Sequence, residues 1–374
     1  MVRITGNYEK IGDIQYFIPF PLPPQNPELT LDAQTLRLYG DAMQRLGQVN
    51  EMAQRLPNVQ RFIKAYVIKE ALLSSAIEGI QTTLMDVFTQ PFADARPSKE
   101  TQLVLSYTHA LEVALGMMQN DGMPLTSRVI LAAHETLMQG NGQANPGAYR
   151  KQAVRVGNLV PPPAPQIQDL MSALERFINQ DQSLPPLIKA GLAHLQFETI
   201  HPFLDGNGRI GRLLIVLMLV DSNLLSVPIL YPSYYFKKHH QEYYMRLDRV
   251  RSDGDFEGWI NYYLKAMSEC AHDAWQRAKE IERLESDLRD TVANNDLFSK
   301  IHEQAANGLS LLFQYPVTSI SELSEHLQQS YNATAGLIKK FEQIGILVEV
   351  SSQKRNKLFK FKMYFDVLEK EYSE

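Results

Sequence analysis

Apolar residues recur at intervals of three and four positions through most of the first 290 residues, the spacing of helices with one buried face. This pattern predicts a series of helices at about 31–46, 59–80, 99–119, 126–140, 166–180, 186–200, 208–221, 238–251 and 255–290. The run from Phe17 to Pro24 alternates prolines with apolar residues, which predicts an extended surface arm over residues 1–30. The clearest strand pattern is Ala153 to Val160, which predicts one short β flap.

The pattern changes beyond Asn294 and Asn295. Before them, charges of alternating sign along 272–290 are typical of a solvated connecting helix. After them, apolar positions predict three helices and then two strands, at about 298–313, 319–327, 332–345, 346–350 and 358–364. The second of these helices begins with a Ser-x-x-Glu capping box at Ser319. Three helices followed by a hairpin predict a winged helix-turn-helix.

Composition fits a folded chain of more than one domain. The 374 residues are 44% hydrophobic and 21% charged, close to the average of globular proteins, which excludes wholesale disorder. The 37 Lys and Arg against 42 Asp and Glu give a net charge of −5, so any nucleic-acid site must be local. The chain has a single cysteine, Cys270, and no apolar leader, and its longest apolar run is only Leu213 to Val220. We therefore expect a soluble cytoplasmic protein.

The stretch with the richest chemistry is His194 to Val220. Pro202 interrupts any regular helix there, and the DGNG sequence at Asp205 to Gly208 predicts a tight turn. From Arg209 to Val220 apolar residues lie on nearly every side, as in a buried helix. A glycine-rich turn at the N-terminus of such a helix leaves backbone N–H groups free at the positive end of the helix dipole. The sequence therefore predicts an anion site.

Charged side chains around this turn suit phosphate chemistry. Arg209 and Arg212 are three residues apart on one helix face, and each can bind phosphate oxygens with two nitrogens. Asp205 can hold a divalent cation that bridges phosphates, and His201 can accept a proton near neutral pH. A base, a Mg²⁺ ligand, amide donors and two arginines together indicate phosphoryl or nucleotidyl transfer.

Two other interpretations of these residues stay open from the sequence. His194, Glu198 and His201 fall on one helix face and could bind zinc, although they match no zinc-enzyme spacing. The loop could also be a simple connection between helices in which His201 caps a neighbouring helix.

Residues 201–212, with the sequence HPFLDGNGRIGR, resemble the Fic motif HPFx(D/E)GNGRxxR at every specified position. The resemblance extends through PGAYR at Pro146 to Arg150 and VGN at Val156 to Asn158, to about residue 270. It implies a helical Fic core with the activity of a protein adenylyltransferase. Such an enzyme transfers AMP from ATP to a Ser, Thr or Tyr hydroxyl of a target protein, or of itself, and releases pyrophosphate.

The resemblance also implies a role for each motif residue. His201 would deprotonate the target hydroxyl, and Asp205 would hold Mg²⁺ against the α- and β-phosphates. The loop would bind the α-phosphate through Gly206, Asn207 and Gly208, and the β- and γ-phosphates would be bound by Arg209 and Arg212. The flap at Val154 to Asn158 would pair with the target backbone, and its residues Val156, Gly157 and Asn158 are also expected at the nucleotide site. The adenine would lie against Tyr243, Tyr244 and Leu247.

A second motif lies upstream, at Ser74 to Gly79, with the sequence SSAIEG. Glu78 is expected in the last turn of a helix closed by Gly79, where its charge opposes the helix dipole unless a cation lies nearby. Taken alone, a solvated surface glutamate is the simpler interpretation. The segment resembles the inhibitory motif (S/T)xxxE(G/N) of one class of Fic proteins. This implies that Ser74, Glu78 and Gly79 form an inhibitory site in which Glu78 pairs with Arg212.

These observations predict a mainly α protein: a helical Fic core with a short β flap, and a C-terminal winged helix-turn-helix. The expected segments are a Fic N-terminal region at 1–98 with the proline-rich arm and inhibitory helix, the catalytic core at 99–270, a connecting helix and linker at 271–296, and the winged helix at 297–374.

The predicted wing and recognition helix carry basic residues, namely Lys339, Lys340, Lys354, Arg355, Lys357, Lys360 and Lys362. From Asp296 onward, however, 9 Lys and Arg stand against 10 Asp and Glu. DNA binding and contact with a protein or a second copy of the chain therefore stay equally open. The alternative function is a DNA-binding regulator that senses ATP through a Fic-like site.

Overall fold

The helices predicted from apolar periodicity make up most of the structure. The computed structural model describes residues 3–55, 59–92, 96–351 and 356–370. Up to residue 294 the helices are α1 (Ala33–Arg55), α2 (Val59–Ile77), α3 (Leu84–Thr89), α4 (Lys99–Gln119), α5 (Ser127–Leu137), α6 (Ile167–Gln180), α7 (Pro186–Ile200), α8 (Asn207–Asp221), α9 (Ser233–Lys238), α10 (His240–Asp253) and α11 (Phe256–Asn294). Short 3₁₀ turns lie at Gln90–Phe92, Gly142–Ala144, Ala164–Gln166 and Asp296–Phe298.

The chain divides into two compact units. The first comprises Met1–Arg55, Tyr66–Val87 and Ala95–His272, and the second comprises Leu56–Ala65, Phe88–Asp94 and Asp273–Glu374. The division falls within α11, which is continuous from Phe256 to Asn294. The four-segment division made from the sequence stays a prediction. Within the described ranges, no helix has both the length and the apolar composition needed to cross a membrane.

The first unit is built around α8. Every residue of this helix from Arg209 to Val220 is buried, as the apolar sequence predicts. Helix α7 packs against α8 and is buried over most of its length, while α4 packs against α5. Burial on all sides fixes the axis of α8. The loop at its N-terminus is therefore held on a rigid support.

The N-terminal segment is not the extended arm that its prolines predict. Strands β1 (Gly6–Ile11) and β2 (Ile14–Pro19) form an antiparallel hairpin in which Ile11 pairs with Ile14. Gly12 turns the chain with a φ of 61°, a left-handed conformation that glycine adopts without a steric penalty. The prediction was wrong because the prolines at the end of β2 dominated the pattern. A Gly-Asp pair between two β-prone runs was the missed signal.

The predicted flap is shorter than a strand. Only Val156 and Leu159 pair with each other among the described flap residues, through two N–H to carbonyl hydrogen bonds of 2.9 Å. Gly157 turns the chain between them with a φ of 56°. The three prolines that follow, Pro161 to Pro163, have no N–H to extend a ladder, so the flap is a tight turn.

The second unit contains α12 (His302–Gln314), β3 (Val317–Ser319), α13 (Ile320–Leu327), α14 (Tyr331–Gln343), β4 (Leu347–Glu349), β5 (Leu358–Phe361) and α15 (Lys362–Glu369). The three strands form an antiparallel sheet in the order β3-β5-β4. Half of the capping box is present: Ser319 Oγ accepts a hydrogen bond of 3.1 Å from the Glu322 N–H, while Glu322 Oε2 accepts from the Thr318 hydroxyl.

Two predicted bounds in the second unit were wrong. The helix expected at 298–313 begins only at His302, after the separate turn Asp296–Phe298. The strand expected to reach Tyr364 ends at Phe361, where α15 begins. Tyr364, Phe365 and Leu368 form the buried face of α15, a helical spacing that the strand-like residues before it concealed.

Candidate active site

His201 ends α7 in an uncommon backbone conformation. Its φ is 49° and its N–H donates to the Phe197 carbonyl at 2.9 Å, which closes the helix with a left-handed residue. A residue other than glycine is uncommon in this region, and it costs about 1 kcal/mol or more in backbone strain. The imidazole is mostly buried, with 18% of the side chain exposed. The loop conformation thus turns His201 away from the axis of α7.

Arg150 holds this loop in place through hydrogen bonds to backbone carbonyls. Its buried guanidinium donates to the carbonyls of His201 (2.8 Å), Ile200 (3.3 Å), Gln152 (3.0 Å) and Pro162 (2.7 Å). These carbonyls belong to the loop at His201 and to the two ends of the flap segment. Burial lowers the pKa of Arg150 to about 10, so it stays charged at neutral pH. The sequence predicts no function for Arg150, although this residue ends the PGAYR motif.

The side chain of Asn207 stabilises the loop that precedes α8. Its side-chain Oδ1 accepts from the Phe203 N–H and its Nδ2 donates to the Phe203 carbonyl, both at 2.8 Å. The side chain is 2% exposed and both ends of the amide are occupied within the loop. The backbone N–H of Asn207 has no backbone acceptor among the described residues and is available to an anion, so the expected phosphate contact of Asn207 stays a prediction. The side chain instead holds the loop closed over the start of α8.

The N-terminus of α8 has the geometry of an anion site. Gly206 precedes the helix with a φ of 80°, and the first backbone bond of the helix runs from the Ile210 N–H to the Gly206 carbonyl at 3.0 Å. The amides of Asn207, Gly208 and Arg209 have no backbone acceptor among the residues that the structure describes. Free N–H groups at the positive end of a buried helix bind anions.

The guanidinium of Arg209 strengthens this site. It is 2% exposed, and in the described part of the chain its Nε and Nη1 have no hydrogen-bond partner. Its Nη2 lies 3.5 Å from Asp205 Oδ1, which is the nearest carboxylate. Burying a cation with unpaired donors is unfavourable unless an anion binds there. Arg209 is thus arranged for an anionic ligand.

Arg212 is already paired with the upstream motif. Its Nη2 donates to Glu78 Oε1 at 2.8 Å and to the Ser74 carbonyl at 2.9 Å, while its Nε donates to Ser74 Oγ at 2.9 Å. Burial raises the pKa of Glu78, but the charge and hydrogen bond of Arg212, together with the electrostatic effects of Arg209 and His201, outweigh burial and lower the pKa. A Cβ added to Gly208 would lie 2.2 Å from Glu78 Oε1, so this carboxylate also covers the start of α8.

The imidazole of His201 is neutral at pH 7. Burial lowers its pKa to about 4, and the hydrogen bond to the Glu198 backbone only partly offsets this effect. Glu198 Oε2 lies 4.0 Å from His201 Nδ1, and burial raises the pKa of Glu198 to about 7. A neutral imidazole can accept a proton. A negatively charged nucleotide bound beside His201 would raise its pKa toward the range of an effective base.

His134 supports the loop from the opposite side. Its Nδ1 accepts from the Gly147 N–H at 3.1 Å, so its Nε2 carries the proton and donates to the Asp205 carbonyl at 3.0 Å. The ring stacks on Phe203 with 3.6 Å between centroids. Burial lowers the pKa of His134 to about 4. The role of His134 could not be predicted from the sequence, because there it is simply one residue on the buried face of α5.

The zinc interpretation is wrong. His194 is completely buried, its Nδ1 donates to the Gly211 carbonyl at 2.8 Å, and its Nε2 accepts from the Tyr243 hydroxyl at 2.8 Å. Both nitrogens are therefore used within the core. No group of three or more His, Cys, Asp or Glu side chains could hold a metal ion in the described ranges.

The three residues expected beside adenine differ in exposure. Tyr243 is 1% exposed and its hydroxyl is bound to His194, so it belongs to the core beneath the expected site. Tyr244 is 37% exposed, with its ring centroid 5.0 Å from that of Tyr243. Leu247 is partly exposed on the same helix, α10. Tyr244 and Leu247 thus offer the surface that an adenine ring could contact, and Tyr243 supports it.

The burial of neutral His194 predicts loss of stability in acid. Burial lowers its pKa from 6.5 to about 3 in the folded chain. Below pH 6.5 the unfolded chain therefore binds a proton that the native state does not. This residue's contribution to stability is complete above pH 6.5 and should fall by about 2 kcal/mol at pH 5. Thermal unfolding between pH 7.5 and 5 tests this. The midpoint temperature of His194→Gln should fall less on acidification than that of wild type. An equal loss in both proteins would contradict it.

Comparison with known families agrees with this geometry. The profile described as "Fic/DOC family" matches residues 124–219, which contain the His201 loop and α8, and the profile described as "Fic/DOC family N-terminal" matches residues 36–116. The chain carries a Fic domain. The segment that places Glu78 beside Arg212 lies within the second match, so the family covers both halves of this contact.

Named relatives and solved structures extend the Fic comparison. The protein adenylyltransferase Fic of Culex quinquefasciatus is 26% identical over 270 residues, which are 68% of this chain and 53% of that protein. That of Drosophila persimilis is 26% identical over 271 residues, with 67% and 51% covered. The chain thus spans about half the length of the curated relatives it matches.

Two solved structures share the fold. A Fic family protein from Desulfovibrio desulfuricans G20 superposes with a TM-score of 0.57 at 22% identity, covering 89% of this chain and 97% of that one. Fic-1 from C. elegans (residues 134–508) superposes with a TM-score of 0.53 at 19% identity, covering 67% and 74%. At these identities the likeness establishes the Fic fold.

Proposed function

We propose that this chain is a protein adenylyltransferase that transfers AMP from ATP to hydroxyl groups of proteins. The observation that carries the proposal is Arg209, a buried cation with two unpaired nitrogens beside the free amides of α8. The neutral imidazole of His201 lies at the edge of the same loop. The adenylyltransferase names of the curated relatives support a nucleotide as the anion and a protein as the acceptor.

The proposed reaction assigns each step to residues of this chain. His201 takes the proton of a Ser, Thr or Tyr hydroxyl, and the oxygen attacks the α-phosphorus of ATP. The bond between the α-phosphorus and the oxygen that bridges to the β-phosphate breaks, and pyrophosphate leaves. The amides of Gly208 and its neighbours stabilise the α-phosphate, while Arg209 and Arg212 bind the β- and γ-phosphates. The tight turn at Val156 to Asn158 would align the target backbone.

Mass spectrometry of the chain after incubation with ATP and Mg²⁺ tests the proposal. An added AMP on the chain itself, or on a protein offered as target, is the expected product. UTP and GTP in parallel reactions identify the nucleotide that the site prefers. Absence of AMP from every protein, with ATP bound and the Glu78 contact removed, would overturn the proposed activity.

Asp205 suits a role as Mg²⁺ ligand. Its side chain is 54% exposed beside the amides of α8, and its Oδ1 accepts from the Gly206 N–H at 2.6 Å, which orients the carboxylate. Magnesium is commonly held by one or two carboxylates together with substrate phosphates, so a single Asp fits the ion. Bound there, Mg²⁺ would offset the charge that develops on pyrophosphate.

Asp205→Ala should therefore lower AMP transfer and raise the Mg²⁺ concentration needed for half-maximal activity. Titration of Mg²⁺ with wild type and variant measures both effects. Asp169→Ala, a change in the first turn of α6 outside the loop, is the matched control and should leave the titration unchanged. Full activity of wild type in excess EDTA would remove the metal from the mechanism.

The contact between Glu78 and Arg212 suits autoinhibition. Arg212 has its Nε and Nη2 bound by Ser74 and Glu78, so a γ-phosphate can reach this arginine fully only by displacing the carboxylate. Glu78 also brings negative charge close to the start of α8, where phosphate would bind. We infer that ATP bound in this state has its α-phosphate misaligned for attack.

The strand and helix order of the second unit supports a winged helix-turn-helix as its proposed fold. Its basic residues, however, favour protein contact over DNA. Lys357 Nζ lies 2.7 Å from Glu349 Oε2, Lys362 Nζ lies 2.5 Å from Asp366 Oδ2, and Lys360 lies over the Phe365 ring. Lys340 donates to the Leu297 carbonyl at 2.8 Å, while Lys354 and Arg355 lie outside the described residues. A lysine that is held by a neighbouring carboxylate or carbonyl must leave this partner before it can contact a phosphate.

We therefore expect the full chain to bind random duplex DNA weakly, even at low salt. A fluorescence titration at salt concentrations from about 50 to 200 mM measures this, because real phosphate contacts weaken steeply over that range. Tight binding with a steep salt slope would restore the DNA-binding regulator as the better function for the second unit.

A further inference from the structure

Helix α2 carries a second acidic residue on the side that faces the active site. Glu70, Ser74 and Glu78 are spaced by four residues, so they follow one another along one side of α2 and its end. Ser74 and Glu78 both accept hydrogen bonds from Arg212. Glu70 lies two turns earlier and is 1% exposed. It is therefore the buried start of the row that ends at the inhibitory contact.

Both carboxylate oxygens of Glu70 are occupied. Its Oε2 accepts from the Ser233 N–H at 3.0 Å, and its Oε1 accepts from the Ser233 hydroxyl at 2.5 Å and from the Tyr107 hydroxyl at 3.2 Å. All three donors are neutral, and Ser233 and Tyr107 are themselves completely buried. No salt bridge to Glu70 is present in the part of the chain that the structure describes.

Burying the carboxylate of Glu70 lowers the stability of the fold, so stability does not explain its presence. A buried carboxylate without a bonded cation loses its hydration, and burial raises the pKa of Glu70 to about 7. An apolar side chain of similar size would fill the same space without this penalty. The hydrogen bonds of a carboxylate are directional, however, and three of them fix one rotation and one height of α2 against its neighbours.

The partners of Glu70 connect two parts of the expected nucleotide site. Ser233 is the first residue of α9, which leads directly into α10 and its exposed Tyr244. Tyr107 lies on α4. Glu78, eight residues beyond Glu70, lies about 12 Å further along the axis at the helical rise, so a small tilt of α2 about Glu70 moves the Glu78 carboxylate away from Arg212. The buried carboxylate of Glu70 thus links α2, which ends beside Glu78, to the start of α9.

We propose that Glu70 is a positioning residue that holds Glu78 against Arg212 and couples this contact to the segment that binds adenine. The inference rests on the proposed function, because it assigns Glu78 an inhibitory role. Loss of Glu70 should then have two separable effects: weaker inhibition through α2, and weaker ATP binding through α9 and α10.

Hydrogen exchange tests the first link without using activity. In Glu70→Ala the amides of residues 74–80 should exchange about tenfold faster, the factor expected when a buried hydrogen-bond set worth about 1.4 kcal/mol is lost. Glu70→Gln keeps a carbonyl acceptor for Ser233 and should lie between wild type and Glu70→Ala. Glu112→Ala, on the exposed side of α4, is the control and should not change this segment. Unchanged exchange at 74–80 in both Glu70 variants would overturn the proposal.

Steady-state kinetics in two backgrounds tests the second link. In the wild-type background Glu70→Gln should raise kcat for AMP transfer and raise KM for ATP. In the Glu78→Gly background the same change should leave kcat unaltered, because the inhibitory contact is already gone, and should still raise KM. Equal effects on kcat in both backgrounds would mean that Glu70 acts only on general stability, and would reject the coupling. A Glu78→Gly protein without any transferase activity would instead refute the proposed function, while the exchange experiment would still decide the role of Glu70.

Discussion

Replacing His201 by asparagine should reduce AMP transfer by a factor of about 10² to 10⁴ and change ATP affinity little. The imidazole is expected to act on the incoming hydroxyl, so its removal eliminates general-base catalysis. The phosphate-binding amides of α8 and the guanidinium of Arg209 stay in place. Asparagine tolerates the left-handed backbone of residue 201 better than alanine does, so the loop should keep its conformation.

Two measurements on the same protein preparation check this result. Transfer of labelled AMP gives the rate, and calorimetric titration with ATP gives the affinity. His201→Ala is a second variant, expected to be equally inactive and slightly less stable because alanine is strained at this φ. A parallel loss of ATP affinity and transfer would contradict the assignment of His201 as the base.

Replacing Glu78 by glycine should increase AMP transfer by about tenfold or more. The present contact pairs a buried arginine with a half-buried carboxylate at 2.8 Å, and Ser74 completes the set of acceptors. If the pair must separate before ATP can align, its free energy is added to the activation barrier. Each 1.4 kcal/mol added in this way slows turnover about tenfold. ATP affinity should change much less, because the expected adenine surface on α10 does not involve Glu78.

The double variant isolates the cause. Glu78→Gly combined with Arg212→Ala should lose most of the increase, since Arg212 is then absent as a ligand for the γ-phosphate. Glu78→Gln is the matched control. It keeps the size of the side chain and one acceptor but removes the charge, so its activity should lie between those of wild type and Glu78→Gly. A folded Glu78→Gly protein with no more activity than wild type would refute autoinhibition and leave Glu78 as a structural ion pair.

The sequence was informative where a single helix or loop determines the outcome. The helices α4 to α8 and α10 follow apolar periodicity, and their bounds agree with the predictions within a few residues, whereas the short helix α9 was not predicted. The buried character of α8 and the turn before it are properties of neighbouring residues. Local physics indicated only that a nearby cation would stabilise Glu78, because its charge opposes the helix dipole, and the family motif implied that Arg212 is this cation.

The sequence was uninformative where the partner is a distant backbone carbonyl. Arg150 binds carbonyls up to 51 residues away, and His134 binds the Asp205 carbonyl across 71 residues. Any residue supplies a carbonyl, so such a bond leaves no pattern in the sequence of the acceptor. The loop contacts of Asn207 could not be predicted for a related reason: a motif shows that an amide is required, and only the structure shows that it binds Phe203.

The left-handed backbone at His201 bears on how this site changes during evolution. Histidine and asparagine codons differ by one nucleotide, and asparagine is the residue other than glycine that best tolerates this conformation. A mutation of His201 to asparagine would therefore change the stability of the fold little. The fold protects the loop, through Arg150, Asn207 and His134, without protecting the histidine itself. Selection for the proposed reaction would then be what keeps residue 201 a histidine, and lineages released from that selection should lose it while they retain the folded site.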